Sequence, residues 1–213
     1  FGGETAKHDV IEFQKAHHWP VVPGKAVKFG SDAFMKIDDK KAESILKELG
    51  INRDFIITVG SIEPRKNHDT LYRSYLMALQ KVESPEQLPL LVICGKPIYG
   101  TDDLVDSIDR NPLLKNNVLR LSPNEEQLAT LYAKCLFTLL PSVYEGWSLT
   151  LPESLGQGKI CLSADTPPLR EIGEGLTEFI EPFDIEAWAD KIIYYATHKQ
   201  ELLAKEKYLK ENW

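Results

Sequence analysis

The apolar residues of this chain come in short, nearly unbroken runs, and that pattern leaves few folds open. Runs at 54–59, 88–94, 117–121, 135–140, 159–162 and 177–180 each have the length of a strand. Between them lie stretches whose apolar residues recur at helical spacing. Residues 38–49 place Ile45, Leu46 and Leu49 on one stripe, with Asp38 or Asp39 as cap and Gly50 just past the end. Residues 68–82 carry Leu71, Tyr75, Ala78, Leu79 and Val82 in the same way, and 184–195 carry Ile185, Trp188, Ile192 and Tyr195 behind a cap at Asp184. Ser122-Pro123-Asn124-Glu125 reads as a helix start with Ser122 as cap, leading to Leu128, Leu131 and Tyr132. Shorter helices are predicted at 102–109, near 150, and at 167–172, with a charged one at 201–213. A strand that is apolar on both sides must be covered on both sides. The alternation therefore predicts an α/β fold: a Rossmann-like parallel sheet with helices on both faces. Such sheets bind ligands beyond the carboxyl ends of their strands. The loops at Gly60, Gly95 and Glu145 leave strands at those ends and are predicted to converge on one crevice.

Composition narrows the function classes. Among 213 residues the net charge is −7, with Lys and Arg dispersed, which argues against a nucleic-acid binder. No apolar run approaches the roughly 18 residues of a membrane span. Cys94, Cys135 and Cys161 each sit in a strand-like run and none is in a Cys-x-x-Cys pair, so they read as buried, reduced thiols of a cytoplasmic protein. Adjacent His17 and His18 cannot share a helix face, and no clustered Cys and His ligands suggest a metal site.

The stretch 141–163 is the most informative. An apolar run breaks at Pro141, passes a tight Glu145-Gly146, enters a helix at about Thr150 and leads into the next strand. Gly146 lets backbone approach a ligand, and the first N–H groups of the helix point outward. Glu145 and Glu153 bracket the turn. Ionised carboxylates only accept hydrogen bonds, so beside an anion site they suit hydroxyls of a sugar or ribose rather than phosphate.

Two segments carry a resemblance. Val59-Gly60-Ser61-Ile62-Glu63-Pro64-Arg65-Lys66-Asn67 resembles the diphosphate loop of family-4 retaining glycosyltransferases of GT-B fold. Tyr144-Glu145-Gly146-Trp147-Ser148-Leu149, followed by Glu153, resembles that family's Glu-x7-Glu motif. Asp32, Leu49-Gly50-Ile51 and residues 168–173 lie where the family's pattern has similar residues. The resemblance covers roughly 20–200 and implies one half of a GT-B enzyme, the carboxyl-terminal, donor-binding domain.

The resemblance implies that Arg65 and Lys66 hold the donor diphosphate and stabilise the charge that grows on the leaving phosphate, and that Glu145 contacts the donor sugar near its reacting carbon. These three are the candidate catalytic residues. The backbone of Gly146, Trp147, Ser148 and Leu149 would meet sugar hydroxyls and phosphate, and Glu153 would bind the ribose. Gly60 would line the diphosphate loop. Gly95 and Lys96 would lie near the nucleotide, and Leu121 with Ser122 would border the base through backbone groups. Each has a plainer alternative. Arg65 and Lys66 can be solvated cations, Glu145 a turn carboxylate, and Lys96 a surface charge. Thr150-Leu151-Pro152-Glu153 is itself a capping-box pattern. Trp147 is expected to pack rather than react.

The implied activity is transfer of a sugar, with its anomeric configuration retained, from a nucleotide-sugar to an acceptor hydroxyl, in bacterial polysaccharide or glycolipid synthesis. It implies no metal and no other cofactor, with a GDP- or dTDP-linked donor as a weak lean. The glycan or lipid-linked acceptor would be held by an amino-terminal domain, and attachment to the inner face of the membrane would belong to that part. Residues 1–35 are expected to be the tail of that domain and a linker, 36–198 the donor-binding unit, and 199–213 the start of a final helical segment. Alone, the unit is expected to bind donor without transferring sugar. A GT-B-like nucleotide-sugar epimerase and a noncatalytic nucleotide-sugar-binding module are the alternatives.

Overall fold

The computed structural model describes residues 1–30, 37–98 and 100–213. Asp32 and the far end of the expected linker fall outside them. After α1 (Glu4–Ala16) and α2 (Asp39–Glu48), strands and helices alternate. The order is β1 (Phe55–Val59), α3 (His68–Lys81), β2 (Leu90–Cys94), α4 (Asp102–Arg110), β3 (Val118–Leu121), α5 (Glu125–Lys134), β4 (Thr138–Leu140), α6 (Thr150–Gly156), β5 (Cys161–Ala164), α7 (Pro167–Gly173), β6 (Glu178–Ile180), α8 (Ile185–Thr197) and α9 (Lys199–Asn212).

The sheet has six strands in the order β3-β2-β1-β4-β5-β6, and every pairing between them is parallel. Strand alternation explains the two cores. Phe55, Ile57, Leu90, Val92 and Cys94 face Leu131, Tyr132 and Cys135 on one side. Ile56, Leu91, Ile93 and Leu139 face Leu71, Tyr75, Trp188 and Ile192 on the other. The three cysteines are free and buried, and burial pushes the Cys94 and Cys161 thiols up to about 12.

Between β1 and β4 the strand order reverses, which makes that boundary the topological switch point where open α/β sheets hold ligands. The two strands meet at two register pairs, Ile57 with Thr138 and Thr58 with Leu139. Strands β1 to β3 lie on one side of this seam and strands β4 to β6 on the other.

Several local expectations need correction. The cap of α5 is Asn124, not Ser122: its side chain accepts from the Gln127 N–H while the Gln127 side chain accepts from the Asn124 N–H. The pattern at Thr150–Glu153 is not a capping box. Thr150 is already inside α6, whose first flanking residue, Leu149, is helical and caps nothing. The fifth strand begins at Cys161 rather than Lys159, and β4 keeps only Thr138–Leu140 of the run that opens at Cys135. A residue contributes to a ladder only where a neighbouring strand lies alongside it, which apolar character alone does not reveal.

Candidate active site

Two loops meet at the switch point. The first leaves β1 through Gly60 and a 3-10 turn over Pro64–Lys66. Asn67 then takes a left-handed conformation at φ +54°, which turns the chain sharply into α3. The Asn67 side chain steadies that turn by donating to the Pro182 carbonyl at 2.8 Å. The second loop leaves β4 and runs from Pro141 to α6. The backbone joins them: the Val143 N–H donates to the Arg65 carbonyl at 3.0 Å.

Side chains complete the junction. The Glu145 carboxylate, only 5% exposed, accepts from Arg65 Nη1 through Oε2 at 2.7 Å and from Lys66 Nζ through Oε1 at 2.7 Å. Arg65 also donates to Glu63 at 2.6 Å and to the Tyr144 carbonyl at 3.0 Å. Burial pulls the Arg65 guanidinium down, but Glu145 and Glu63 outweigh it and hold the group above its ordinary value. Arg65, Lys66 and Glu145, separated by about eighty residues of chain, therefore form one cluster.

Glu153 is half-buried, on α6. The Tyr132 hydroxyl donates to its Oε2 at 2.9 Å, so the chemical partner of Glu153 is a residue on α5. Burial raises the Glu153 carboxyl, with the Tyr132 hydroxyl and Lys66 acting the other way. Lys66 thus lies within electrostatic reach of both acids. Ser148 is buried, and its hydroxyl accepts from the Leu151 N–H at 3.4 Å. Leu149 is exposed, and a Cβ built on Gly146 meets nothing within 4 Å. That side of the loop faces open space.

Gly60 and Gly95 are required for a different reason. A Cβ on Gly95 would lie 1.9 Å from the Gly60 carbonyl oxygen, a backbone clash that no rotamer relieves. Gly60 has φ +142°, in the region favoured by glycine, and faces the Lys66 side chain. The loops after β1 and β2 consequently touch backbone to backbone. Beside them a cleft of about 330 Å³ is lined by Val59, Cys94, Gly95, Lys96, Ser122, Pro123 and Leu128. Lys96 is exposed at its rim. The Leu121 carbonyl accepts from the Gly95 N–H at 2.9 Å, so it is committed to the sheet rather than turned to the cleft.

Trp147 packs away from this cleft. Its Nε1 donates to the Phe29 carbonyl at 3.0 Å, and its side chain lies against Gly2 and Gly3. The Tyr144 hydroxyl donates to Asp9 at 2.9 Å, and Glu171 on α7 accepts from the Glu4 and Thr5 N–H groups at the start of α1. The amino-terminal segment is therefore fastened to the second loop.

Sequence reasoning passed over four participants. Glu63 stood inside the quoted motif as the acid two positions before Arg65, and that spacing was the available signal. Tyr132 read as core, which it also is. Tyr144 opened the second motif, but its contribution to Arg65 is a carbonyl and has no side-chain signature. His68, the first residue of α3, is 3% exposed, and neither ring nitrogen has a partner among the described residues. Burial, with Lys66 adding to it and Glu63 opposing, lowers His68 to about 4. Among the described residues no group of His, Cys, Asp and Glu is arranged to hold a metal ion.

Known proteins share this arrangement of strands. The structure of WaaG, a glycosyltransferase involved in lipopolysaccharide biosynthesis, matches 95% of this chain and 55% of its own at a TM-score of 0.70 and 19% identity. That of Anabaena Alr3699/HepE in complex with UDP matches 99% of this chain and 61% of its own at 0.71 and 17%. These matches give the fold, that of GT-B glycosyltransferases. In sequence, the serotype-specific mannosyltransferase WbdA of Escherichia coli is 28% identical over 194 residues, 86% of this chain. A GDP-mannose:cellobiosyl-diphosphopolyprenol alpha-mannosyltransferase of Xanthomonas oryzae pv. oryzae is 30% identical over 113 residues, 51% of this chain and 29% of its own length. The chain spans 22% of the length of the Escherichia coli mannosyltransferase. The profile of the glycosyl transferases group 1 matches residues 41–212, and with that span, most of the chain, the protein belongs to this family.

Proposed function

We propose that this chain is the donor-binding domain, the carboxyl-terminal one, of a family-4 retaining glycosyltransferase that builds a polysaccharide or glycolipid in the cytoplasm. One observation carries the reading: two cations from the loop after β1 and an acid from the loop after β4 meet at the switch point of the sheet. A nucleotide-sugar needs both kinds of group. As the nucleoside diphosphate departs, negative charge grows on its terminal phosphate. The Arg65 guanidinium offers a fork of donors there and Lys66 a point charge, which is where stabilisation accelerates the reaction. Glu145 would accept from a hydroxyl of the transferred sugar, and its negative charge suits the positive character of an oxocarbenium-like anomeric carbon. The leaving phosphate would take the acceptor proton on the face it vacates, which retains configuration. Glu153, already oriented by Tyr132, would accept from the ribose hydroxyls, and the cleft at Gly95, Lys96 and Ser122 would hold the base. The acceptor would be bound by a further domain, in keeping with relatives much longer than this chain. The related mannosyltransferase whose name includes GDP-mannose makes a GDP-linked hexose the first donor to try.

Titration calorimetry with GDP, dTDP and UDP tests the reading. Saturable one-to-one binding of at least one is expected, with Arg65→Ala lowering affinity by roughly tenfold or more, as the loss of a charge-assisted contact to phosphate implies. A folded protein that binds none of the three would sink it.

A further inference from the structure

We infer that Glu145 is a built-in counter-ion that competes with the donor diphosphate for Arg65 and Lys66, and that this competition makes the site favour a sugar-bearing diphosphate over a bare one. The inference rests on the donor-site reading above and concerns how that site discriminates.

Charge is the starting point. Arg65 and Lys66 face Glu63 and Glu145, so the formal charges of these four side chains cancel. Both Glu145 oxygens are engaged at 2.7 Å, one by each cation. A diphosphate entering the cluster meets cations whose charge is already matched, with a buried carboxylate beside them. Like charges brought close in a buried site repel strongly, so the diphosphate and Glu145 cannot share both cations at little cost. Binding therefore requires Glu145 to give up at least one of its two partners.

The displaced carboxylate then decides selectivity. Glu145 is buried, and a buried carboxylate without partners is costly. A donor sugar, attached to the phosphate that displaced it, brings hydroxyls that can donate to the freed oxygens. A bare nucleoside diphosphate brings only its ribose hydroxyls, which the reading above assigns to Glu153. The sugar-bearing ligand thus repairs the disruption that its own phosphates cause, whereas the bare product does not. After transfer, Glu145 reclaims Arg65 and Lys66 and helps expel the product. Geometry favours an exchange of this kind. The acid and the cations belong to loops on opposite sides of the β1–β4 seam that the Val143–Arg65 backbone bond holds together, so the exchange is one of the Glu145 side chain turning from the cations rather than of its loop withdrawing.

The test compares bare GDP or UDP with the matching nucleotide-sugar on wild type and on Glu145→Gln, which removes the charge and keeps the shape. Glu145→Ala serves as a second variant, and thermal unfolding confirms that each is folded. The variants are expected to bind the bare diphosphate roughly tenfold more tightly than wild type, a typical size for a coupling of this kind. The nucleotide-sugar is expected to gain far less, or to lose affinity, so the preference for it shrinks. Bare diphosphate binding unchanged or weakened in both variants overturns the inference while leaving the donor site standing, as does an equal gain for both ligands. Wild type and variants that all fail to bind either ligand overturn the donor-site reading and this inference together.

Discussion

His68 begins α3 directly behind the cation loop, buried and with no hydrogen-bond partner among the described residues. A folded-state pKa of about 4 lies below the ordinary value of 6.5, so between these values the unfolded chain takes up a proton that the folded one refuses. Stability fully present above about pH 6.5 is therefore lost as pH falls toward 4, by an amount on the order of 3 kcal/mol. Lys66 and Glu63 are the charged groups acting on the ring. Denaturant unfolding at about pH 7 and pH 4.5 checks this, with His68→Asn expected to flatten the difference relative to wild type; equal slopes would refute it. Gly95 gives a second prediction at this scale. Gly95→Ala must push the loops after β1 and β2 apart, because the clash is with backbone. A loss of about 1–3 kcal/mol is expected from such crowding, together with weaker nucleotide binding. Residue-level legibility was uneven for physical reasons. Arg65, Lys66 and Glu145 carry charge at motif spacing and could be singled out from the order of residues. The partnership of Glu153 with Tyr132 could not, because a tyrosine on an apolar helical stripe looks like any core aromatic until α5 and α6 are placed beside each other.

Helices were more readable than strands. The caps at Asp38 and Asp184 are local devices, each accepting from a backbone N–H three residues on; the residue order points to Asp184 directly and to Asp38 as one of two candidates with Asp39. The start of α5 was misjudged by two residues because Ser-Pro-x-Glu imitates a start that Asn124 and Gln127 in fact supply. Asn124→Ala should cost about 1 kcal/mol in thermal or denaturant unfolding, the usual size for loss of an N-terminal cap. Ser122→Ala should cost far less. At the start of α6, the Thr150 hydroxyl turns toward the Val59 carbonyl at the end of β1, at 3.5 Å. A tertiary contact across the seam has taken the side chain that a local rule assigned to capping.

For the molecule as a whole, the sequence pattern yielded a parallel sheet with two covered faces but not the order of its strands. That order is set by long-range neighbours: β1 lies between β2 and β4, although an entire strand and three helices separate β1 from β4 along the chain outside β2. The arrangement also predicts how ligand binding and stability are linked. A nucleoside diphosphate at about 100 times its dissociation constant should stabilise the fold by about 2.7 kcal/mol. For a domain of this size that is a rise in Tm of roughly 5–10 °C, measurable by thermal shift and cut to about half or less in Arg65→Ala at the same ligand concentration. No helix among the described residues is long and apolar enough to cross a membrane.

The shallow pairing of β1 with β4 has a practical consequence. Severing the backbone in the connection between β3 and α5 would yield two polypeptides, one owning the basic loop and the other its acidic counterpart. Neither could assemble the pocket unaided. Fused to the halves of a luminescent reporter, the pair would recombine more readily if the proposed sugar nucleotide spans the join, and the protein would become a two-component sensor for that ligand.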